Sequence, residues 1–139
     1  MGLINATIEL INSYDLISYK KGLINKDEIK RITVEALVDT GAYMLCINEN
    51  TLHQLGLEII DKRPAVLADG SIKDLDIAGP IEIHFQNRRT ITQALVLPGD
   101  TQILLGSIPM EDMDVIIEPK QQKIMVNPLS PNFATTILK

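Results

Sequence analysis

The chain has 139 residues, of which 45% are hydrophobic and 22% are charged, and its formal net charge is −5. This length and composition are typical of one globular domain, so we expect a single domain over residues 1–139. The acidic balance offers no basic surface for nucleic acid. Because uncharged apolar runs are short and no secretory signal is recognisable, we predict a cytoplasmic protein that does not bind membranes.

The alternation of apolar and polar residues predicts strands over most of the chain. It begins with Ile4 to Leu10, within a predicted N-terminal strand over residues 1–12, and resumes over residues 32–38. The intervening residues 15–31 carry many charges and lack a long apolar stripe, so we predict an exposed loop or hairpin there.

A short helix and a hairpin are predicted in the middle of the chain. Asn48 can cap a helix that Gly56 would end in a left-handed conformation. Residues 81–85 and 91–97 alternate in hydrophobicity, and Asn87-Arg88-Arg89 between them favours a turn.

A second short helix and a final hairpin are predicted in the last part of the chain. Ser107 is predicted to cap a second short helix that ends near Met113. Residues 115–117 and 124–126 form the strands of a final predicted hairpin, because Pro119 and polar neighbours separate them. The tail, residues 128–139, is expected to be either frayed or an additional strand.

The residues able to bind metal or to act as nucleophiles are few. Cys46 is the one cysteine; it cannot form an internal disulfide, and its apolar neighbours predict a buried thiol. His53 and His84 are expected at the surface, and one cysteine with two histidines excludes the common zinc sites. The acidic stretch 111–114 is best explained as charge at a helix start, so we expect neither a metal nor a cofactor.

The segment richest in chemistry is Ala36-Leu37-Val38-Asp39-Thr40-Gly41-Ala42, in which a carboxylate follows an apolar strand and precedes a turn of small residues. Burial and backbone donors can adjust the pKa of such a carboxylate. Downstream lie Val66-Leu67-Ala68-Asp69-Gly70-Ser71 and then Gln102-Ile103-Leu104-Leu105-Gly106, before the second helix. In this order and spacing the segments resemble the retropepsin-like aspartic proteases over residues 33–126, most closely their small, single-domain, stand-alone prokaryotic members.

The resemblance implies an all-β fold, a closed retropepsin-like β-barrel with one or two short helices. It also implies an aspartic endopeptidase that acts on peptide or unfolded protein, with Asp39, Thr40 and Gly41 as the catalytic residues. The reaction needs two carboxylates that share a proton, and this chain has a single Asp-Thr-Gly. A homodimer is therefore implied, with one Asp39 from each chain at the two-fold axis.

The resemblance further assigns residues around the cleft, as floor, flap tip and support of the turn: Ala42, Ala68, Asp69, Gly70, Leu105 and Gly106. Tyr43 departs from the small polar residue that many relatives have at this position. Its bulk keeps open a second interpretation, a weakly active or inactive dimer of the same fold that binds peptides or a protein partner.

Overall fold

The computed structural model describes residues 3–138, so Met1, Gly2 and Lys139 lie outside the described residues. Within residues 3–138 the chain forms nine strands, three short α-helices and one 3₁₀ turn, Lys26–Glu28. The strands are β1 (Asn5–Asn12), β2 (Arg31–Val38), β3 (Leu45–Asn48), β4 (Glu58–Val66), β5 (Ile72–Phe85), β6 (Arg88–Leu97), β7 (Leu104–Leu105), β8 (Val115–Glu118) and β9 (Lys123–Val126). The helices are α1 (Ser13–Lys20), α2 (Glu49–Gln54) and α3 (Ser107–Met113).

Seven of the strands form one sheet in the order β1-β2-β7-β3-β6-β5-β4, and β8 pairs with β9 in a separate hairpin. β1 also pairs with β5. The strand pairings therefore run from β1 through β2, β7, β3, β6 and β5 and back to β1. Among the strands of residues 3–138, β4 pairs only with β5, so it lies at the edge of the sheet. The chain is mostly β, as the sequence predicts.

The core lies on the inner faces of these strands, because the predicted alternation places apolar side chains on one side. In β1, Ala6, Ile8 and Leu10 are buried, while Asn5 and Thr7 are exposed. The other large side chains of the cluster that are fully enclosed come from β3, β5, β7 and the helix ends: Leu45, Ile47, Leu55, Ile81, Ile83, Leu105 and Met113.

The predicted middle helix is confirmed. The Asn48 side chain accepts a hydrogen bond from the Thr51 amide (2.8 Å) and caps α2. Gly56 follows the helix with φ +57°, the left-handed conformation expected of it. The second helix is also present, but Gly106 rather than Ser107 occupies its cap position, and Ser107 is its first residue.

The prediction of a loop or hairpin over residues 15–31 is wrong, because α1 and the 3₁₀ turn occupy much of that stretch. The Asn12 side chain, at the end of β1, accepts a hydrogen bond from the Asp15 amide (3.1 Å) and caps α1. In the 3₁₀ turn, Glu28 accepts from the Asn25 amide (2.9 Å) as part of a capping box. The described chain thus has three α-helices, more than the one or two expected.

Both predicted hairpins are present, with one difference. Arg88 and Arg89 belong to β6 rather than to the turn before it, and Arg88 is 2% exposed. The tail over residues 128–138 forms no strand. It is held instead by Asp114, which accepts hydrogen bonds from the Ser130 hydroxyl and from the Thr135 amide (3.1 Å).

Candidate active site

The Asp39 turn, residues 39–44, connects two strands that both lie next to β7. β2 runs parallel to β7, pairing Leu37 with Leu104 and Val38 with Leu105. β3 then pairs with the other side of β7 through Cys46 and Leu104. The chain therefore passes around the end of β7, and Asp39 stands where the apolar strand leaves the sheet.

Backbone hydrogen bonds hold the Asp39 carboxylate in place. The Asp39 amide donates to the Leu105 carbonyl (3.0 Å), and the Gly41 amide donates to Asp39 Oδ1 (2.9 Å). A Cβ atom at position 41 would lie 3.1 Å from the same Oδ1. Glycine thus allows the amide to approach the carboxylate closely.

Leu105 and Gly106 lie behind the turn. Leu105 is completely buried, and Gly106 is buried against the backbone of residues 42–44. A Cβ atom at Gly106 would lie 2.3 Å from the Met44 carbonyl oxygen and 2.7 Å from that of Ala42. Beyond the glycine, the Ser107 amide donates to the Ala42 carbonyl (2.9 Å). These residues support the turn and line neither of the two cavities that lie on either side of it.

The carboxylate and the neighbouring threonine lie at the protein surface. Thr40 is exposed, and its hydroxyl has no hydrogen-bond partner among residues 3–138. Asp39 and Thr40 line a depression of about 320 Å³ together with Leu3, Ile4 and Ile117. The N-terminal segment and β8 therefore flank the acid.

A second cavity, the β4 cleft, opens on the other side of the turn and has a volume of about 370 Å³. The turn contributes Gly41 and Ala42, and β4 contributes Ala65 and Val66 opposite them. The remaining lining residues are Tyr43, Met44, Cys46, Arg63, Pro64 and Leu95. Ala42 thus lines a cleft between the Asp39 turn and the edge strand.

The predicted flap residues form the tip of the β4–β5 hairpin. Ala68, Asp69 and Gly70 are exposed there, and they line neither of the two cavities described above. Gly70 has φ +85°, and its amide donates to the Leu67 carbonyl (2.9 Å), closing a tight turn. The Ser71 hydroxyl and amide donate to Asp69 Oδ1 (2.6 and 2.9 Å), and these hydrogen bonds lower the pKa of Asp69.

Arg63 lies at the β4 cleft, although no sequence motif marks it as a site residue. Its guanidinium donates to the Tyr43 hydroxyl and to Met44 Sδ (3.2 Å), and lies 5.8 Å from the centre of the Tyr43 ring. In the sequence it follows Asp61 and Lys62, and such a run of charges indicates only a solvated strand face. The tertiary fold brings it to the cleft.

Cys46 lies beside the acid without being a nucleophile. It is buried, as predicted, and burial raises the pKa of its thiol to about 11, with a further contribution from the negative charge of Asp39. The thiol is therefore protonated at neutral pH. In residues 3–138 no three His, Cys, Asp or Glu side chains are grouped so as to hold a metal ion, and no helix is long and apolar enough to cross a membrane.

Comparison with known proteins bears on this arrangement. No curated protein matches the sequence. The model of the family described as "gag-polyprotein putative aspartyl protease" matches residues 26–126, most of the chain, and that span contains the Asp39 turn, the β4–β5 hairpin and Gly106. Given this match and the hydrogen-bonded Asp39 carboxylate at the end of β2, the chain belongs to the retropepsin-like aspartic protease family.

Proposed function

We propose that the protein is an aspartic endopeptidase that hydrolyses peptide bonds as a homodimer. The observation that carries this proposal is the Asp39 carboxylate, held at the surface by the Gly41 amide (2.9 Å) in a chain of the aspartic protease family. The proposed assembly places the depressions around Asp39 and Thr40 face to face across a two-fold axis. The ring of strand pairings from β1 to β5 would then be the closed barrel of the family.

The two Asp39 carboxyl groups would share one proton. Two ionised carboxylates about 3 Å apart repel strongly, so the pair holds a proton that belongs to neither chain alone. The ionised group takes a proton from a water molecule, whose oxygen attacks the scissile carbonyl carbon, while the protonated group donates to the carbonyl oxygen. As the resulting diol collapses, the C–N bond breaks and the departing nitrogen accepts a proton from the protonated carboxyl, while a diol hydroxyl returns its proton to the ionised one, so the dyad again holds one proton.

The substrate in this proposal is an extended segment of peptide or unfolded protein. β4 is the edge strand of the sheet, so its free backbone groups can pair with an added strand lying in the β4 cleft. Ala42 would form the floor, and the tip at Ala68, Asp69 and Gly70 would close over the substrate and exclude water. Thr40 of each chain would bond across the axis and brace the two turns.

The test compares wild type with Asp39→Asn on a reduced, alkylated protein substrate between pH 4 and pH 7. The variant keeps the size of the side chain and an oxygen that can accept from the Gly41 amide, so the fold and the dimer should persist in size-exclusion chromatography. Asp27→Asn, an exposed acid in the 3₁₀ turn, is the matched control. We expect cleavage by wild type and Asp27→Asn alone; equal cleavage by Asp39→Asn would refute the proposed role of this acid.

Tyr43 favours a second candidate function, a dimer of the same fold that binds peptides without cleaving them. The Tyr43 side chain is 50% exposed, lines the β4 cleft and contacts Arg63. An aromatic ring and a cation in one cleft are groups that bind peptides whether or not hydrolysis follows. Measurable peptide binding with no products after prolonged incubation would support this candidate over the endopeptidase.

A further inference from the structure

Arg63 is a cation held at the edge of the β4 cleft by neutral groups. Its partners are the Tyr43 hydroxyl and ring, the latter 5.8 Å from the guanidinium carbon, and the Met44 sulfur at 3.2 Å. None of these groups carries a negative charge. They restrict the side chain and leave its charge in place.

The acids nearest to Arg63 in the sequence do not neutralise it. Within residues 3–138, no carboxylate oxygen lies within 4.0 Å of its guanidinium nitrogens. Asp61, two residues earlier on the same strand, accepts a hydrogen bond from the Lys62 amide (2.8 Å). Asp76 on β5 pairs with Lys62 instead (3.8 Å). Arg63 is therefore a cation available to a ligand.

Two cavities meet at this side chain, and Arg63 lines both. The β4 cleft lies on one side, and a smaller cavity of about 190 Å³ lies on the other, lined also by Tyr43, Met44, Thr92, Gln93 and Ile108. Among the described residues that line either cavity, Arg63 alone is charged. An anionic group that entered either cavity would therefore have Arg63 as its one oppositely charged partner.

We propose that Arg63 binds the carboxylate of an Asp or Glu side chain in the substrate, and that it makes the protein select peptides with an acid at that position. This inference rests on the proposed endopeptidase function. In the proposed homodimer there are two Arg63 side chains, so the preferred acids would occur at two positions related by symmetry about the scissile bond.

The expected size of the preference follows from the exposure of the site. Arginine–carboxylate contacts are strong because two N–H groups can face both oxygens. Arg63 is half-buried, so water and salt screen part of this attraction. We expect kcat/KM to be about tenfold higher for a peptide with Glu than for one with Gln at the selected position. The net charge of −5 repels acidic peptides in general, so a preference for them must arise locally.

The experiment uses peptides built on a cleavage site mapped by mass spectrometry in an unfolded protein. Each position in turn carries Glu, Gln or Lys, and kcat/KM is measured for wild type, Arg63→Gln and Arg63→Glu. Lys62→Gln is the matched control, since it removes the same charge from the preceding residue of β4, which lies outside both cavities. We expect wild type and Lys62→Gln to prefer Glu, Arg63→Gln to lose the preference, and Arg63→Glu to prefer Lys.

The reversal by Arg63→Glu is informative because structural damage would lower every rate without exchanging the preferred charge. If Arg63→Glu does not fold, Arg63→Lys takes its place and should retain part of the preference for Glu. Equal kcat/KM for Glu, Gln and Lys peptides at every position in wild type would overturn the inference. So would a Glu preference that persists in Arg63→Gln.

Binding to Asp39→Asn separates this inference from the proposed function. Fluorescently labelled Glu, Gln and Lys peptides are titrated with Asp39→Asn and with Asp39→Asn/Arg63→Gln, and anisotropy is followed. Stronger binding of the Glu peptide that depends on Arg63 supports the inference, even if wild type cleaves nothing and the endopeptidase proposal fails. Cleavage by wild type with equal binding of all three peptides leaves the endopeptidase in place and overturns the role of Arg63.

Discussion

Replacing Gly106 by alanine would drive a methyl group into the backbone of the Asp39 turn. The new carbon would lie 2.3 Å from the Met44 carbonyl oxygen, 2.7 Å from the Met44 nitrogen and 2.7 Å from the Ala42 carbonyl oxygen. To restore the 3.0 Å that real contacts require, the Met44 oxygen would have to retreat by about 0.7 Å. All three atoms belong to the backbone, so no side-chain rotation can relieve the clash.

The backbone conformation itself is not a cost here, because Gly106 has φ −86°, which alanine adopts readily. The expected loss is therefore steric, about 3 kcal/mol, at the upper end of the range for overpacked interiors. Gly22→Ala is the contrasting control: Gly22 has φ +76° and nothing within 4 Å of a Cβ atom. That variant should lose only about 1 kcal/mol, from the left-handed conformation alone.

Thermal and urea unfolding would measure both losses at a fixed protein concentration, because the stability of the proposed dimer depends on concentration. We expect Tm to fall by roughly 10 °C for Gly106→Ala and by about a third of that for Gly22→Ala. Activity of Gly106→Ala should fall well beyond its stability loss, since displacing a reacting group by about 1 Å can cost about 100-fold. If Gly106→Ala were no less stable than Gly22→Ala, the close packing of Gly106 against the Asp39 turn would be contradicted.

Three further experiments test other parts of the structure. The pKa of Asp114 is lowered to about 2, chiefly by hydrogen bonds from Ser130 and Asn127. Its contribution to stability is therefore present above pH 4 and disappears as the pH falls through 2. In urea titrations, the difference in stability between wild type and Asp114→Asn should shrink over that pH interval. The buried Cys46 thiol, with its pKa raised to about 11, should react with a disulfide reagent at pH 8 far more slowly in the folded protein than in urea, and equal rates would contradict its burial. Asn48→Ala should cost about 1 to 2 kcal/mol in urea unfolding, because it removes both the α2 cap and a 2.8 Å hydrogen bond to the Thr101 carbonyl; a neutral result would show that the cap is not needed.

The elements that could be predicted from the sequence are those with local signals. Alternating hydrophobicity identifies β1 and the strands of the two predicted hairpins because one face of each strand is buried. Asn48 and Gly56 bracket α2 correctly because capping and left-handed backbone are properties of single residues. The family could likewise be inferred, since the Asp-Thr-Gly and the later glycine lie in one order along the chain.

The sequence does not predict α1, because this helix has no apolar stripe. Its one buried residue is Ser13, and its stability depends on the Asn12 cap and on tertiary contacts. Capping interactions do have recognisable spacings here, at Asn12 to Asp15 and at Asn25 to Glu28. The many charged residues of this stretch nevertheless favour the prediction of a loop.

Non-local pairing could not be predicted from the sequence at all. β7 is only two residues long, and its parallel pairing with β2 joins residues far apart in the chain. Arg88 provides a second example: its position after Asn87 indicated a polar turn, whereas the structure buries its side chain next to Asp114 (3.7 Å) and the Ser130 carbonyl. The approach of Arg63 to Tyr43 has the same origin, since the fold alone brings β4 to the Asp39 turn.

Mixing of subunits tests most directly whether activity needs an Asp39 from each of two chains. Wild type and Asp39→Asn are combined in equal amounts, allowed to exchange subunits, and assayed at constant total concentration on the same peptide. If both acids are required, only dimers of two wild-type chains are active, and activity falls to about one quarter of that of wild type. Activity of about one half would mean that each chain acts with its own acid, and it would contradict the shared dyad.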